Sequence, residues 1–176
     1  MRYVRHCDSP LGGLLLASDG AALTGLWLDG AKYYAAGLDQ AAVERETPAL
    51  TAALRWLDVY FSGRSPGFTP PLRPAGTPFQ QAVWALLLEI PYGQTATYGE
   101  IAGRLSRQSG RRASARAVGG AVGRNPISLV IPCHRVVGAG GSLTGYAGGV
   151  EKKLRLLALE GADAGRLHAP QKGSAL

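Results

Sequence analysis

The chain has 176 residues and 18.4 kDa, with 46% hydrophobic and 18% charged residues, the size and make-up of one globular domain with a full core or of two small ones. No apolar run approaches the roughly twenty residues of a membrane span, and the opening Met1-Arg2-Tyr3-Val4-Arg5-His6 lacks a secretory signal's apolar core, so a cytoplasmic setting and no membrane partner are expected. Two distant cysteines, Cys7 and Cys133, exclude a disulfide framework, and the formal charge of +7 is one-sided. Residues 1–76 hold seven basic and seven acidic side chains, whereas residues 77–176 hold twelve and five. A basic excess confined to one part points to a polyanion, nucleic acid first; the plainer reading is charge for solubility.

In chain order, the runs Tyr3–Cys7, Gly13–Ala17 and Leu23–Leu28 read as hairpin strands, separated by the turn signals Asp8-Ser9-Pro10-Leu11-Gly12 and Asp19-Gly20. A helix follows, with Thr47 as N-cap, Pro48 at its first position, an apolar face of Leu50, Ala53, Leu54, Leu57 and Phe61, and Gly63 as its stop. The Pro/Gly-rich stretch Ser65–Gly76 resembles an interdomain linker. Thr77-Pro78 opens a second helix whose face is Phe79, Ala82, Val83, Leu86, Leu87 and Ile90, broken by Pro91-Tyr92-Gly93. Thr97-Tyr98-Gly99-Glu100 spells a capping box for a helix reaching about Leu105, and a further helix runs from Ser114 to Asn125-Pro126. A glycine-rich loop spans Gly138 to Gly149, a last helix spans Val150 to Glu160, and the residues after Gly161 read as a frayed tail.

Two short helices in succession make a helix-turn-helix candidate, with Arg116 in the first turn of the second and Arg107, Arg111 and Arg112 in the connection. Ala115, Ala117, Gly119 and Gly120 keep that second helix thin, which suits either close approach to DNA or tight helix packing. The connection Ser106–Ala113 is longer than the three or four residues usual for this motif. Next comes Ile131-Pro132-Cys133-His134-Arg135-Val136. A thiol attacks only as thiolate, and an adjacent imidazole is the commonest device for raising that fraction. The bland alternative is a small buried thiol beside a solvent-facing histidine.

Pro-Cys-His-Arg-Val-Val after Asn125-Pro126, with Arg116-Ala117-Val118-Gly119-Gly120 upstream, resembles the O6-alkylguanine-DNA alkyltransferases, also called methylated-DNA–protein-cysteine methyltransferases. The likeness is strong from Thr77 to Gly161 and in outline before that. It implies an α/β N-terminal domain of antiparallel hairpins plus helix, ribonuclease-H-like in outline (1–76, with its linker). A mostly α DNA-binding and alkyl-acceptor domain containing the helix-turn-helix would follow (77–176). It further implies irreversible, single-turnover transfer of the alkyl group from O6-alkylguanine in double-stranded DNA to the protein's own cysteine, with base flipping and no cofactor. O4-alkylthymine is left open as a second substrate.

By the same resemblance Cys133 is the acceptor, His134 deprotonates it through a bridging water, and Glu160 orients that histidine. Tyr98 contacts the flipped base and donates a proton to it, and Asn125 braces the segment leading to the cysteine. Arg116 is the finger that fills the vacated stack, with Ser114, Ala117, Gly119 and Thr95 as further DNA contacts. Val136, Tyr146, Ala147 and Gly148 line the base pocket. An acid at a helix C-terminus is disfavoured by the dipole, so something else should hold Glu160. Ala147 stands where some members have serine, and Ser128 where others have proline, which leaves tolerance for bulky adducts open. His6 and Cys7 supply two ligands where a closed zinc site needs four, so no metal is expected. The protein is expected to act as a monomer, with clustering on DNA and nucleoid association when bound as extensions. A helix-turn-helix regulator with a structural or redox-sensing Cys133 is a second reading. A papain-like thiol hydrolase is a third, disfavoured because its histidine would not adjoin the nucleophile.

Overall fold

In the computed structural model, which describes residues 1–169, the chain divides into two compact units. The first comprises Met1–Ala75 and Pro126–Val130, the second Gly76–Asn125 and the residues from Ile131 onward. Among the described residues no helix is long and apolar enough to cross a membrane.

The first unit is a sheet in the order β3-β2-β1-β4, formed by β1 (Tyr3–Ser9), β2 (Gly12–Ser18), β3 (Leu23–Leu28) and β4 (Val43–Glu44), with α1 (Pro48–Phe61) packed on it. Ser9 closes the first hairpin, its hydroxyl accepting from Leu11 N at 3.1 Å and donating to Gly12 O at 2.6 Å. The antiparallel register runs from Tyr3 opposite Ser18 to Ser9 opposite Gly12. From Leu14 to Ser18 every residue of β2 is buried, so the central strand reads as a continuous apolar run rather than an alternation. Ala35, Leu38 and Ala42 pack against Val4, Leu15, Ala17 and Trp27. The sheet is not wholly antiparallel: β4 joins β1 in parallel, a pairing too short and too exposed to be read from Val43-Glu44.

Thr47 caps α1, accepting from Leu50 N at 3.2 Å, and Pro48 takes the position where a missing N–H costs nothing. The stretch Ser65–Gly76 is pinned in part rather than running as an open linker. Leu23 N donates to Pro71 O at 2.7 Å and Arg73 N to Leu23 O at 2.8 Å, which pairs Leu72 with β3. Ile127 pairs on β3 as well, through Leu26 N to Pro126 O at 2.8 Å and Ser128 N to Leu26 O at 2.9 Å. Prolines are tolerated there because a strand at the sheet edge need donate on one side only.

The second unit holds α2 (Pro78–Leu87), α3 (Tyr98–Ser109), α4 (Ala115–Gly123) and α5 (Val150–Leu159), plus a short parallel pair of β5 (Ala96–Thr97) and β6 (Val136–Val137). Capping boxes open α2, from Thr77 and Gln80, and α3, from Thr97 and Glu100. The buried face of α2 departs from expectation: Phe79 is exposed and Trp84 takes the interior place. The larger indole is buried because its single polar atom finds a partner, Nε1 donating to Ala121 O at 2.9 Å.

Helix α3 continues past Leu105 because Ser106–Ser109 contains neither glycine nor proline, and it stops where Gly110 adopts the left-handed conformation (φ 68°). The link to α4 is therefore Gly110–Ser114, short enough for a helix-turn-helix, and not the longer Ser106–Ala113. Ser106 Oγ ties this turn down, donating to Ala102 O at 2.8 Å and accepting from Ala113 N at 2.9 Å. The segment after Gly161 is anchored as far as it is described. Leu143 N donates to His168 O at 2.9 Å, His168 N donates to Gly141 O at 3.2 Å, and Leu167 packs on Val137, Leu143 and Leu157. Of the tail expected to fray, Pro170 to Leu176 lie outside the described residues.

Candidate active site

Three local devices assemble the site in the second unit. The Thr97 capping box starts α3 so that Tyr98, its first residue, is buried. After α4, buried Asn125 spans the incoming loop, its Nδ2 donating to Ile131 O at 2.8 Å. Cys133–Arg135 then forms a 3-10 turn that runs into β6, and α5 supplies Lys153 and, two turns further on, Glu160 from the same face.

The bland reading of the cysteine–histidine pair fails, because His134 is wholly buried. Its Nε2 lies 2.6 Å from Glu160 Oε1. Glu160 is also buried and accepts from Arg135 Nε at 2.8 Å, Arg135 Nη2 at 3.1 Å and Gly93 N at 3.0 Å. Arg135 Nη1 donates in turn to Ile90 O at 2.7 Å. Burial alone would raise the Glu160 carboxyl, yet His134 and Arg135 bring it down to about 2, so it is a carboxylate at neutral pH. This answers the unfavourable helix dipole. Gly93 (φ 76°) has to be glycine for this contact, since a Cβ would stand 2.8 Å from Glu160 O.

His134 is held below its ordinary pKa, chiefly by burial and against the pull of Glu160, so it is neutral at pH 7. With a carboxylate at Nε2, the ring carries its hydrogen there and Nδ1 is its acceptor side. Burial pushes the Cys133 thiol up, while the Asn125 side chain, the Lys153 ammonium and nearby backbone amides pull it down. The electrostatic pull towards thiolate thus comes from Asn125 and Lys153 and not from the imidazole, because a neutral ring offers no charge to an anion. What His134 offers is basicity.

Tyr98 Oη donates to Thr144 O at 2.8 Å, and burial raises its hydroxyl strongly, so it stays protonated. The carbonyl of Val136 accepts from Lys153 Nζ, which also donates to Thr144 O at 2.8 Å. Tyr146 is buried and, among the described residues, its hydroxyl and that of Thr144 have no hydrogen-bond partner. Ala147 and Gly148 are half-buried beside it. Ser128 is buried and belongs to the first unit.

On the surface of this unit, α4 buries Val118, Ala121 and Val122 and exposes Arg116 and Ala117, with Gly119 half-buried. Ser114 Oγ is engaged as the α4 cap, accepting from Ala117 N at 3.1 Å. Thr95 is exposed in a shallow groove with Gly99, Gly103, Arg104 and Arg107 along α3. Sequence reasoning missed Arg135, Gly93 and Lys153. For Lys153 a signal existed: it falls in step with Val150, Leu157 and Glu160 on α5, a charge on the buried stripe.

Residues 78–162 match the family described as 6-O-methylguanine DNA methyltransferase, DNA binding domain, and residues 2–74 match its ribonuclease-like domain. The methylated-DNA–protein-cysteine methyltransferase of Mycobacterium leprae is 46% identical over 91% of this chain and 93% of its own. That of Haemophilus influenzae is 43% identical over 90% and 86%. The crystal structure of Mycobacterium tuberculosis OGT in complex with DNA superposes with a TM-score of 0.78 at 42% identity, covering 94% of each chain. With both domains and the greater part of its length matched, this chain belongs to the methylated-DNA–protein-cysteine methyltransferase family.

Proposed function

We propose that this protein repairs DNA by direct reversal, with Cys133 as the single-use acceptor of the alkyl group of O6-alkylguanine. The observation that carries this is the buried relay behind the thiol, in which His134 Nε2 lies 2.6 Å from a Glu160 carboxylate that Arg135 and Gly93 hold in place. His134 takes the thiol proton through a water, and Glu160 stabilises the imidazolium. The soft thiolate attacks the O-methyl carbon in line, forming the S–C bond as the C–O6 bond breaks. Tyr98, kept protonated, turns from Thr144 O to give its proton to the departing guanine. A thioether has no easy exit, so the reaction runs once per molecule and needs no cofactor.

A base inside the stack cannot reach a sulfur 5% exposed, so the target is flipped, at a cost of about a few kcal/mol. Arg116, exposed in the first turn of α4, offsets part of this by filling the stack, while Ser114, Ala117, Gly119 and Thr95 meet the backbone. Val136 O, whose second lone pair remains for a base edge, forms the pocket with Tyr146, Ala147 and Gly148. O4-alkylthymine fits the same chemistry less closely. The division of labour follows residues 1–76 and 77–176, and the protein acts as a monomer in the cytoplasm, clustering on DNA and joining the nucleoid when bound.

The test is stoichiometry. Titrating duplex DNA containing O6-methylguanine with protein should remove one lesion per molecule and then stop, and Cys133→Ala should bind the duplex without removing any. Continued turnover, or lesion loss with Cys133→Ala, would overturn the proposal.

A further inference from the structure

Lys153 is fully buried in the second unit. It has no carboxylate partner: its ammonium donates to the carbonyls of Val136 and Thr144, and Thr144 O accepts from Tyr98 Oη as well. Burying an ammonium is costly unless a charge compensates it, and two neutral carbonyls compensate incompletely. The titratable groups facing this part of the site are Cys133, His134 with its Glu160–Arg135 pair, Tyr98 and Tyr146. Glu160 is already held by Arg135 and His134, and both tyrosines stay protonated, so the anion that Lys153 is placed to meet is a Cys133 thiolate.

We propose that the Lys153 ammonium is the counter-charge of the Cys133 thiolate, a positioning residue that sets how much nucleophile is present before any DNA binds. This rests on Cys133 being the reactive thiol, and it adds a second device to the His134–Glu160 relay: His134 removes the proton, and Lys153 stabilises what remains. No bond to Lys153 forms or breaks, and its proton stays in place. Burial brings its pKa down to about 8, and the Cys133 charge is what pulls it back up, so it is still mainly cationic at pH 7. Once the sulfur is alkylated it is neutral, and Lys153 loses its anion. By linkage, the charge on each group must respond to the other.

The experiment measures carbamidomethylation of Cys133 by iodoacetamide, resolved by peptide from Cys7, across pH 6 to 10 without DNA. Lys153→Gln keeps a donor for the carbonyls and removes the charge. Its rate profile should move to higher pH by a unit or more, so that the rate at pH 7 falls about tenfold and converges on wild type at high pH. Lys153→Arg should restore most of the shift. A Lys153→Gln profile superimposed on wild type, or lowered equally at every pH, would overturn the proposal, the second outcome marking a structural role. Should Lys153→Gln not fold, wild-type protein suffices. Its Lys153 side chain, followed by carbon NMR, should titrate lower after S-methylation of Cys133 with iodomethane, and an unmoved midpoint would refute the coupling. Neither readout involves DNA, so a failure of methyl transfer from a duplex would count against the acceptor role of Cys133 and leave this result standing.

Discussion

Replacing Glu160 by glutamine changes two atoms and should cost both stability and rate. The carboxylate accepts four hydrogen bonds, from His134 Nε2, Arg135 Nε and Nη2, and Gly93 N, at 2.6 to 3.1 Å. An amide keeps one oxygen and turns an NH2 towards donors that cannot accept it. Arg135, whose side chain is 10% exposed, is then left charged and unpaired, a loss of about 3–5 kcal/mol. In a protein of this size, about 1 kcal/mol moves Tm by about 2–4 °C, so a drop on the order of 10 °C is expected. His134 loses the anion that stabilises its imidazolium, which should slow single-turnover transfer by about 100-fold or more. The assay pairs a thermal melt with quenched single-turnover kinetics on an O6-methylguanine duplex below the lowered Tm. A variant that melts within 2 °C of wild type and transfers at the wild-type rate would refute the roles given to Glu160, His134 and Arg135 together.

Other expectations are simpler. Arg116→Ala should slow repair of a duplex by about tenfold or more while leaving transfer from a free O6-alkylguanine base near wild type, and equal losses on both would count against the finger. Stability should fall in acid in two stages. His134, neutral when folded, withholds the proton that the unfolded chain takes below about pH 6.5, and Glu160 withholds one from about 4.5 down to about 2. Both groups bind fewer protons folded than unfolded, so stability drops with pH, the Glu160 share reaching about 3 kcal/mol. A Tm unchanged between pH 7 and pH 4 would contradict this. Tyr98→Phe removes the donor to Thr144 O and should lower the transfer rate by about tenfold or more with modest change in Tm, and wild-type transfer by that variant would exclude a proton-donating role.

Boundaries set by side-chain chemistry were legible in the sequence. Thr47-Pro48, Thr77-Pro78 and Thr97 with Glu100 each start a helix where their capping groups demand it, and β3 spans Leu23–Leu28 as its apolar run indicated. What escaped was decided by tertiary pairing. Val43-Glu44 becomes a strand only because β1 offers an edge, Leu72 pairs only because β3 does, and His168 is fixed by Gly141 and Leu143. The choice of Trp84 over Phe79 depended on a carbonyl of α4 that no local pattern reveals. At the site, the motif identified Cys133 and His134, and the family resemblance brought in Glu160. That Arg135 points inward to Glu160, and that Lys153 lies under the pocket, follow from the turn at Cys133–Arg135 and the phase of α5.

The central claim is that one buried sulfur, at Cys133, ends the reaction carrying the alkyl group. Tandem mass spectrometry of the protein after incubation with a duplex bearing isotope-labelled O6-methylguanine tests it most directly. The account predicts the labelled methyl on Cys133 in proportion to lesion lost, and none on Cys7. Lesion lost with Cys133 unmodified, or the label on another residue, would contradict it.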